Sequence, residues 1–166
     1  MEQNIEEIYQ AHSKTVYRYL FCLCHNESLA EELTQETFYL ATKNINQFRN
    51  ECKIQVWLCQ IAKNLWFKEL KRIKKLTVVS MDTEIGEIKS DLNLEDEFIE
   101  SEERAELYKQ LKNLDGRTRE LIYLRLTTEL TFKDVAQLLG KSETWARVTF
   151  YRWKEKLREM NRKEEQ

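Results

Sequence analysis

The chain contains no proline and only three glycines among its 166 residues, so the residues that most often form tight turns are nearly missing. Strands bounded by clusters of turn residues are hard to find. Apolar residues instead recur at helical spacing through most of the sequence. The shortage of turn residues and this periodicity together predict an all-α protein.

The sequence also lacks the common patterns of catalytic and metal sites. It has no glycine-rich phosphate loop, and no nucleophile stands beside a base, so we expect no enzymatic activity, no catalytic residue and no cofactor. Its cysteines do not follow a zinc spacing, and we expect no metal. Buried reduced thiols are the default for such residues, and a redox or metal sensor is the alternative. The cysteines are Cys22, Cys24, Cys52 and Cys59.

Long apolar runs are missing as well. No stretch approaches the roughly 20 residues that span a bilayer. The acidic start, MEQNIEEIYQ, has no apolar core of the kind found in a signal peptide. We therefore expect a cytoplasmic protein with no membrane insertion, in which the thiols stay reduced.

The net charge of −2 conceals an uneven distribution. Residues 1–75 hold 11 Lys or Arg against 9 Asp or Glu, residues 76–104 hold 2 against 10, and residues 105–166 hold 14 against 10. An acidic segment therefore separates two segments that are near neutral or basic. We predict two small helical domains, at 1–75 and 104–166, joined by a flexible acidic linker at 76–103.

Residues 131–157 have the pattern of a helix–turn–helix. Thr131 is a potential N-cap, apolar residues follow at helical spacing, and Gly140 falls where the helix would end. The second helix carries an apolar stripe at Ala146, Phe150, Trp153 and Leu157. A separate basic and hydrogen-bonding stripe comprises Thr144, Arg147, Tyr151, Lys154 and Arg158. Such a face can contact phosphates and base edges in a DNA major groove, although a solvated helical hairpin is the alternative.

The N-terminal segment predicts three helices. The first covers residues 4–24, Ser28 and Glu31 fit a capping box that would open the second, and residues 54–75 form the third. The third helix ends in a cluster of lysines and arginines with Phe67 among them. That composition suits a nucleic-acid strand, because cations follow the backbone and rings stack on unpaired bases. Cations that merely complement the helix dipole are the alternative.

Two further helices are predicted before the helix–turn–helix, at residues 104–114 and 117–126. In the second of these, Leu124 or Leu126 should face inward and Arg117, Arg119 and Arg125 outward.

Three motifs resemble the sigma factors of the extracytoplasmic-function (ECF) group of the sigma-70 family. AEELTQETF at 30–38 is similar to the family's AEDLVQETF. FRNE at 48–51, WL at 57–58, IAKNL at 61–65 and LKR at 70–72 are similar to FRGE, WL, IARNL and LRR. The pattern from Leu114 to Leu157 resembles the family's C-terminal DNA-binding domain. The sequence departs from that pattern with Asp115 in place of a proline, Asn50 and Thr144 in place of glycines, and a bulky Trp153.

The resemblance implies a sigma factor that binds core RNA polymerase and directs initiation at promoters with −35 and −10 elements. It also implies an anti-sigma factor as a regulatory partner, and we expect a monomer when the protein is free. Polymerase would contact Glu32, Gln35 and Glu36, a cluster that by itself indicates only a solvated face.

The implied promoter contacts fall into two sets. The residues facing the −35 element would be Ser142, Glu143, Thr144, Arg147, Val148 and Tyr151, with Arg117, Arg119, Arg125 and Arg152 at phosphates and Arg147 at a guanine. The residues at the opening −10 element would be Asn46, Phe48, Arg49, Asn50, Trp57, Lys63, Asn64, Phe67, Lys68, Lys71 and Arg72.

A conventional repressor or activator that binds DNA alone is the main alternative. Such a protein should carry a dimerisation or effector domain, and residues 1–75 do not look like one.

Overall fold

The computed structural model describes residues 4–79 and 109–166, and all regular secondary structure within these ranges is helical. The predicted all-α class is confirmed. The chain divides into two compact units, Met1–Lys109 and Gln110–Gln166. Most of the predicted linker at 76–103 lies outside the described residues, as does the predicted start of the second domain. No described helix is both long enough and apolar enough to cross a membrane.

The described residues of the first unit form three helices that pack against one another. They are α1 (Ile5–Cys24), α2 (Glu27–Asn44) and α3 (Ile54–Val79), with a short 3₁₀ turn at Ile45–Gln47. The helix α3 continues past residue 75, where the sequence had predicted the domain to end. Apolar faces from all three helices form one core, whose members include Leu20, Phe21, Leu33, Phe38, Leu58 and Leu65.

The start of α2 differs from the prediction. Asn26, not Ser28, is the N-cap, because its Oδ1 accepts a hydrogen bond from the Leu29 N–H at 2.9 Å. Ser28 lies within the first turn and is exposed. The predicted capping box of Ser28 and Glu31 is therefore wrong, since the asparagine two residues earlier already satisfies a free N–H of the helix.

The second unit places three helices around a small core. Residues 109–112 are helical, and α4 (Gly116–Thr127), α5 (Phe132–Leu139) and α6 (Glu143–Glu164) follow. Leu124 is buried, whereas Leu126 is exposed, which settles the inward residue of α4.

The helix–turn–helix forms as predicted. Thr131 Oγ1 accepts the Asp134 N–H at 3.2 Å, and the Asp134 carboxylate accepts the Thr131 N–H at 3.0 Å. This reciprocal capping box fixes the first residue of α5. Gly140 ends α5 with a left-handed backbone (φ 67°), and the turn to α6 follows.

Candidate nucleic-acid interface

The helix α6 presents one face to the core of the second unit and the opposite face to solvent. Ala146, Phe150 and Trp153 are buried, with the rings of Phe150 and Trp153 at 5.7 Å. The predicted DNA-facing residues Glu143, Thr144, Arg147, Val148 and Tyr151 are all exposed. Ser142 is also exposed, but its hydroxyl caps the helix by accepting the Trp145 N–H at 3.0 Å. The two stripes read from the sequence therefore occupy separate faces.

Arg147 is held by two neighbours although its side chain remains 54 % exposed. Its Nη2 donates to Glu143 Oε1 at 2.8 Å, one helical turn earlier. Its Cζ lies 5.3 Å from the centre of the Phe132 ring, within the range of a cation–π contact. The guanidinium is therefore accessible to a ligand and already oriented.

Two of the four arginines predicted to contact phosphates are turned into the fold instead. The Arg119 guanidinium donates to the carbonyls of Leu111, Lys112 and Leu114 at 2.9–3.1 Å. The last carbonyls of a helix have no hydrogen-bond donor within that helix. Arg119 therefore acts as a C-terminal cap for the helical residues 109–112. Both Arg119 and Arg125 are half-buried, which corrects the prediction that they face outward.

Arg125 stabilises the connection between α4 and α5. Its Nη1 donates to the Leu130 carbonyl at 2.6 Å, and its Cζ lies 4.3 Å from the Phe132 ring centre. Arg117 and Arg152 are exposed, as predicted. Of the four arginines predicted to contact phosphates, Arg117 and Arg152 are therefore the two whose side chains are exposed.

The connection between α2 and α3 exposes polar side chains beside an aromatic pair. Phe48 and Trp57 are half-buried with ring centres 5.1 Å apart. Asn46, Arg49 and Asn50 are exposed around them. Asn50 has a left-handed backbone (φ 57°), a conformation that favours glycine and that asparagine tolerates better than most residues. This explains how asparagine stands where similar sequences often have glycine.

The outer face of α3 combines cations with one exposed ring. Phe67 is 46 % exposed, and Lys63 Nζ lies 5.7 Å from its ring centre. Asn64, Lys68, Lys71 and Arg72 are also exposed. Five of the predicted strand-binding residues of α3 are therefore accessible to a ligand, whereas Trp57 and Lys63 are half-buried.

An open groove brings the basic end of α3 beside the acidic face of α2. It is lined by Leu33, Glu36, Leu65, Lys68, Glu69, Lys71, Arg72 and Lys75. The predicted polymerase residue Glu36 thus shares a groove with predicted DNA residues. The other two members of that cluster, Glu32 and Gln35, are exposed on α2.

Glu69 belongs to this groove and was not among the predicted site residues. Arg72 Nε donates to the Glu69 carboxylate at 3.1 Å, and this hydrogen bond holds the pKa of Glu69 below its usual value. The spacing of three residues on one helix could have identified the pair. One of the predicted DNA-binding cations is therefore partly neutralised within its own helix.

The cysteines do not gather at any of these surfaces. Cys22, Cys24 and Cys59 are buried, and Cys52 is half-buried. Burial raises the pKa of the Cys59 thiol to about 12, which keeps it protonated and unreactive near neutral pH. Among the described residues, no group of three or more His, Cys, Asp or Glu side chains could hold a metal ion.

Comparison with known proteins finds similarity to sigma factors along most of the chain. Residues 8–76 match sigma-70 region 2. The chain is 29 % identical to the ECF RNA polymerase sigma factor SigM of Bacillus subtilis (strain 168), over 93 % of each chain. It is 23 % identical to SigX of the same organism, over 92 % of this chain and 80 % of SigX.

A solved structure agrees with this at the level of the fold. The sigma factor RpoE from Bartonella quintana, crystallised with the anti-sigma factor NepR, superposes with a TM-score of 0.68 at 18 % identity. The match covers 95 % of this chain and 96 % of RpoE. Residues 8–76 therefore carry a sigma-70 region 2, and nearly the whole chain is similar to sigma factors of the ECF group. The relatives are sigma factors, which are transcription-initiation factors and not enzymes.

Proposed function

We propose that the protein binds core RNA polymerase and directs it to promoters by contacting both a −35 and a −10 element. One observation carries this proposal. Each of the two units exposes a helix face on which cations and hydrogen-bonding groups surround an accessible aromatic ring. In the second unit that face is on α6 around Tyr151, and in the first it is on α3 around Phe67.

The helix α6 would read the −35 element from the major groove, which is wide enough to admit a helix. Arg147 is our candidate for a guanine contact, because a guanidinium can donate two hydrogen bonds to guanine O6 and N7. Arg117 and Arg152 would contact phosphates, which position the helix without specifying sequence. We leave Arg119 and Arg125 out of this set, since their guanidinium groups donate to backbone carbonyls of the fold.

The connection before α3 would receive a base of the −10 element. Taking a base out of the stack costs a few kcal/mol, so strand opening needs a site that accepts it. The Phe48–Trp57 pair and the surrounding side chains of Asn46, Arg49 and Asn50 would form that site. The half-buried Lys63 and the exposed side chains of the same helix would follow the separated strand. These exposed residues are Asn64, Phe67, Lys68, Lys71 and Arg72.

The polymerase contact would lie on α2. Glu32, Gln35 and Glu36 give this helix an exposed acidic and hydrogen-bonding surface, which suits a basic partner. The match between residues 30–38 and the sigma-factor motif supports this placement.

We also propose that an anti-sigma factor binds the protein and blocks this polymerase contact, and that the protein is a monomer when free. The support is the shared fold with RpoE, which was crystallised with an anti-sigma factor. Addition of such a partner should compete with core polymerase for the protein in a binding titration. Simultaneous binding of both would contradict the proposal.

Transcription in vitro with a randomised promoter library tests the main proposal. Core polymerase with the full-length protein should select transcripts from templates that share two conserved elements at fixed spacing. Core polymerase alone should select none. Tight, specific binding of the protein to duplex DNA without polymerase would instead indicate a conventional regulator.

Variants separate the polymerase contact from the DNA contacts. Glu32→Arg combined with Glu36→Arg should abolish binding to core polymerase in a pull-down assay. Glu155→Arg combined with Glu164→Arg changes the charge equally on α6 in the other unit and should retain binding. Equal loss in both pairs would place the effect in net charge and not in the α2 surface.

A further inference from the structure

Phe132 is the first residue of α5, and its ring lies against two guanidinium groups. The Arg125 Cζ lies 4.3 Å and the Arg147 Cζ 5.3 Å from the ring centre. Phe132 itself is only 8 % exposed. A side chain at this depth can act on a ligand only through the residues around it.

The ring of Phe132 is fixed by its own surroundings. Its centre is 5.4 Å from the Phe150 ring in an edge-on arrangement and 5.9 Å from the Tyr151 ring. The capping box of Thr131 and Asp134 holds the backbone on either side. Phe132 is therefore a rigid surface beneath the exposed face of α6.

Arg147 gains its orientation from that surface and from Glu143. The guanidinium carries five N–H groups, and the hydrogen bond to Glu143 Oε1 occupies one of them. The contact with the ring consumes none, because it is an electrostatic attraction to the aromatic face. N–H groups therefore remain for a bidentate contact with a base, while the long side chain has less freedom to lose on binding.

We propose that Phe132 is a positioning residue for −35 recognition. Its ring, together with the Glu143 carboxylate, holds Arg147 in the orientation that reads one base pair. Sequence preference at that base pair then depends on a residue that does not touch DNA. This inference rests on the proposed function of α6.

Arg125 extends the arrangement to the turn before α5. Its guanidinium is anchored by the Leu130 carbonyl and contacts the same ring. Each of the two like charges beside the ring thus has an acceptor of its own, Leu130 for Arg125 and Glu143 for Arg147.

The test measures base preference at each −35 position. A promoter library randomised over the −35 region is transcribed by core polymerase with the full-length protein, and the transcripts are sequenced. Arg147→Ala should flatten the preference at one position. Phe132→Leu keeps an apolar side chain but removes the ring, and it should reduce the preference at that same position by about two- to fivefold. Phe132→Tyr keeps the ring and should retain the preference.

A double variant distinguishes positioning from packing. In the Arg147→Ala background, Phe132→Leu should cause no further change, because its effect passes through Arg147. Hydrogen exchange of α5 and α6 reports whether the Leu variant is folded. If it loses protection there, Phe132→Met provides the same comparison.

Two results would overturn the inference. One is an even loss at every −35 position after Phe132→Leu, and the other is an equal loss with and without Arg147. If Arg147→Ala flattens a position but Phe132→Leu does not, only the positioning role fails. If Arg147→Ala flattens no position, the proposed base contact fails, and the inference fails with it.

Discussion

At the residue scale, arginines with the same predicted orientation have different roles. Arg117 and Arg119 are two positions apart at the start of α4, and both were expected to face outward. Arg117 is exposed, whereas Arg119 is half-buried and donates three hydrogen bonds to carbonyls at the end of the preceding helix. A long side chain can fold back along the surface, which a helical projection does not reveal.

Arg119→Ala should therefore destabilise the second unit. The substitution leaves three carbonyls without their charged donor, and a hydrogen bond to a charged group contributes about 1.5–3 kcal/mol net. The total is smaller than three such bonds because these carbonyls are partly accessible to water, which can replace the donor. We expect a net loss of about 1–3 kcal/mol, measured from hydrogen exchange of amides in α4–α6. Arg117→Ala is the matched control and should change stability by less than about 0.5 kcal/mol. Similar losses in the two variants would show that Arg119 does not close the helix.

At the element scale, the helix ends show how strongly local chemistry sets the structure. In the part of the chain that the structure describes, five helices begin directly after a residue whose side chain accepts an N–H of the first turn. These caps are Asn4, Asn26, Asp115, Thr131 and Ser142. Such short side chains accept the unpaired N–H groups of the first turn, which fixes where each of these helices begins.

The corrected cap of α2 gives a direct comparison. Asn26→Ala should cost about 1 kcal/mol, because the Leu29 N–H loses its acceptor. Ser28→Ala should cost almost nothing, since Ser28 is exposed within the first turn. Hydrogen exchange of the amides in α2 measures both. A larger loss of stability for Ser28→Ala would show that Ser28 caps α2, as the sequence predicted.

The cap of α4 makes that helix sensitive to acid. Asp115 accepts the Thr118 N–H at 3.0 Å and the Thr118 hydroxyl at 2.7 Å, and these bonds hold the pKa of its carboxyl below the usual value. Because the folded pKa is lower than the unfolded one, the stabilisation is present above about pH 4 and is lost as pH falls through the folded pKa.

Asp115→Asn should remove that pH dependence, because an amide cap stays neutral. We expect protection of the α4 amides to decline less steeply for this variant than for the wild type between about pH 5 and pH 3. Parallel pH profiles would show that the ionised carboxylate makes no special contribution.

At the scale of the whole molecule, a net charge of −2 coexists with exposed cations on both units. Neutralised phosphates release counterions, so the proposed binding of promoter DNA should become weaker as salt increases. A variant that loses a phosphate contact should change the salt dependence of binding. A variant that loses a base contact should instead change the preference for promoter sequence.

Lys71→Ala combined with Arg72→Ala should weaken initiation on many promoters alike. It should also lower the magnitude of the salt slope of holoenzyme binding by about one to two, since each phosphate contact contributes about 0.7–0.9. Lys14→Ala combined with Lys43→Ala removes the same charge elsewhere on the first unit and should leave the slope nearly unchanged. A promoter-specific loss in the first pair would instead assign these cations to base recognition.

The sequence alone determined the helical class, the helix–turn–helix and the separate faces of α6. These features depend on apolar periodicity and on caps that act within four residues, so neighbouring residues suffice to predict them. The cluster of Glu32, Gln35 and Glu36 could be linked to polymerase only through the family resemblance, and that role stays a prediction.

Only the tertiary structure decided which polar side chains are available to a ligand. Arg119 donates to carbonyls up to eight residues away, the groove joins Glu36 of α2 to Lys68 of α3, and the ring of Phe132 lies beside Arg147. Helical periodicity gives the direction in which a side chain leaves its helix, but not where a long flexible group comes to rest. That position depends on acceptors and rings supplied by other elements, and packing brings those within reach.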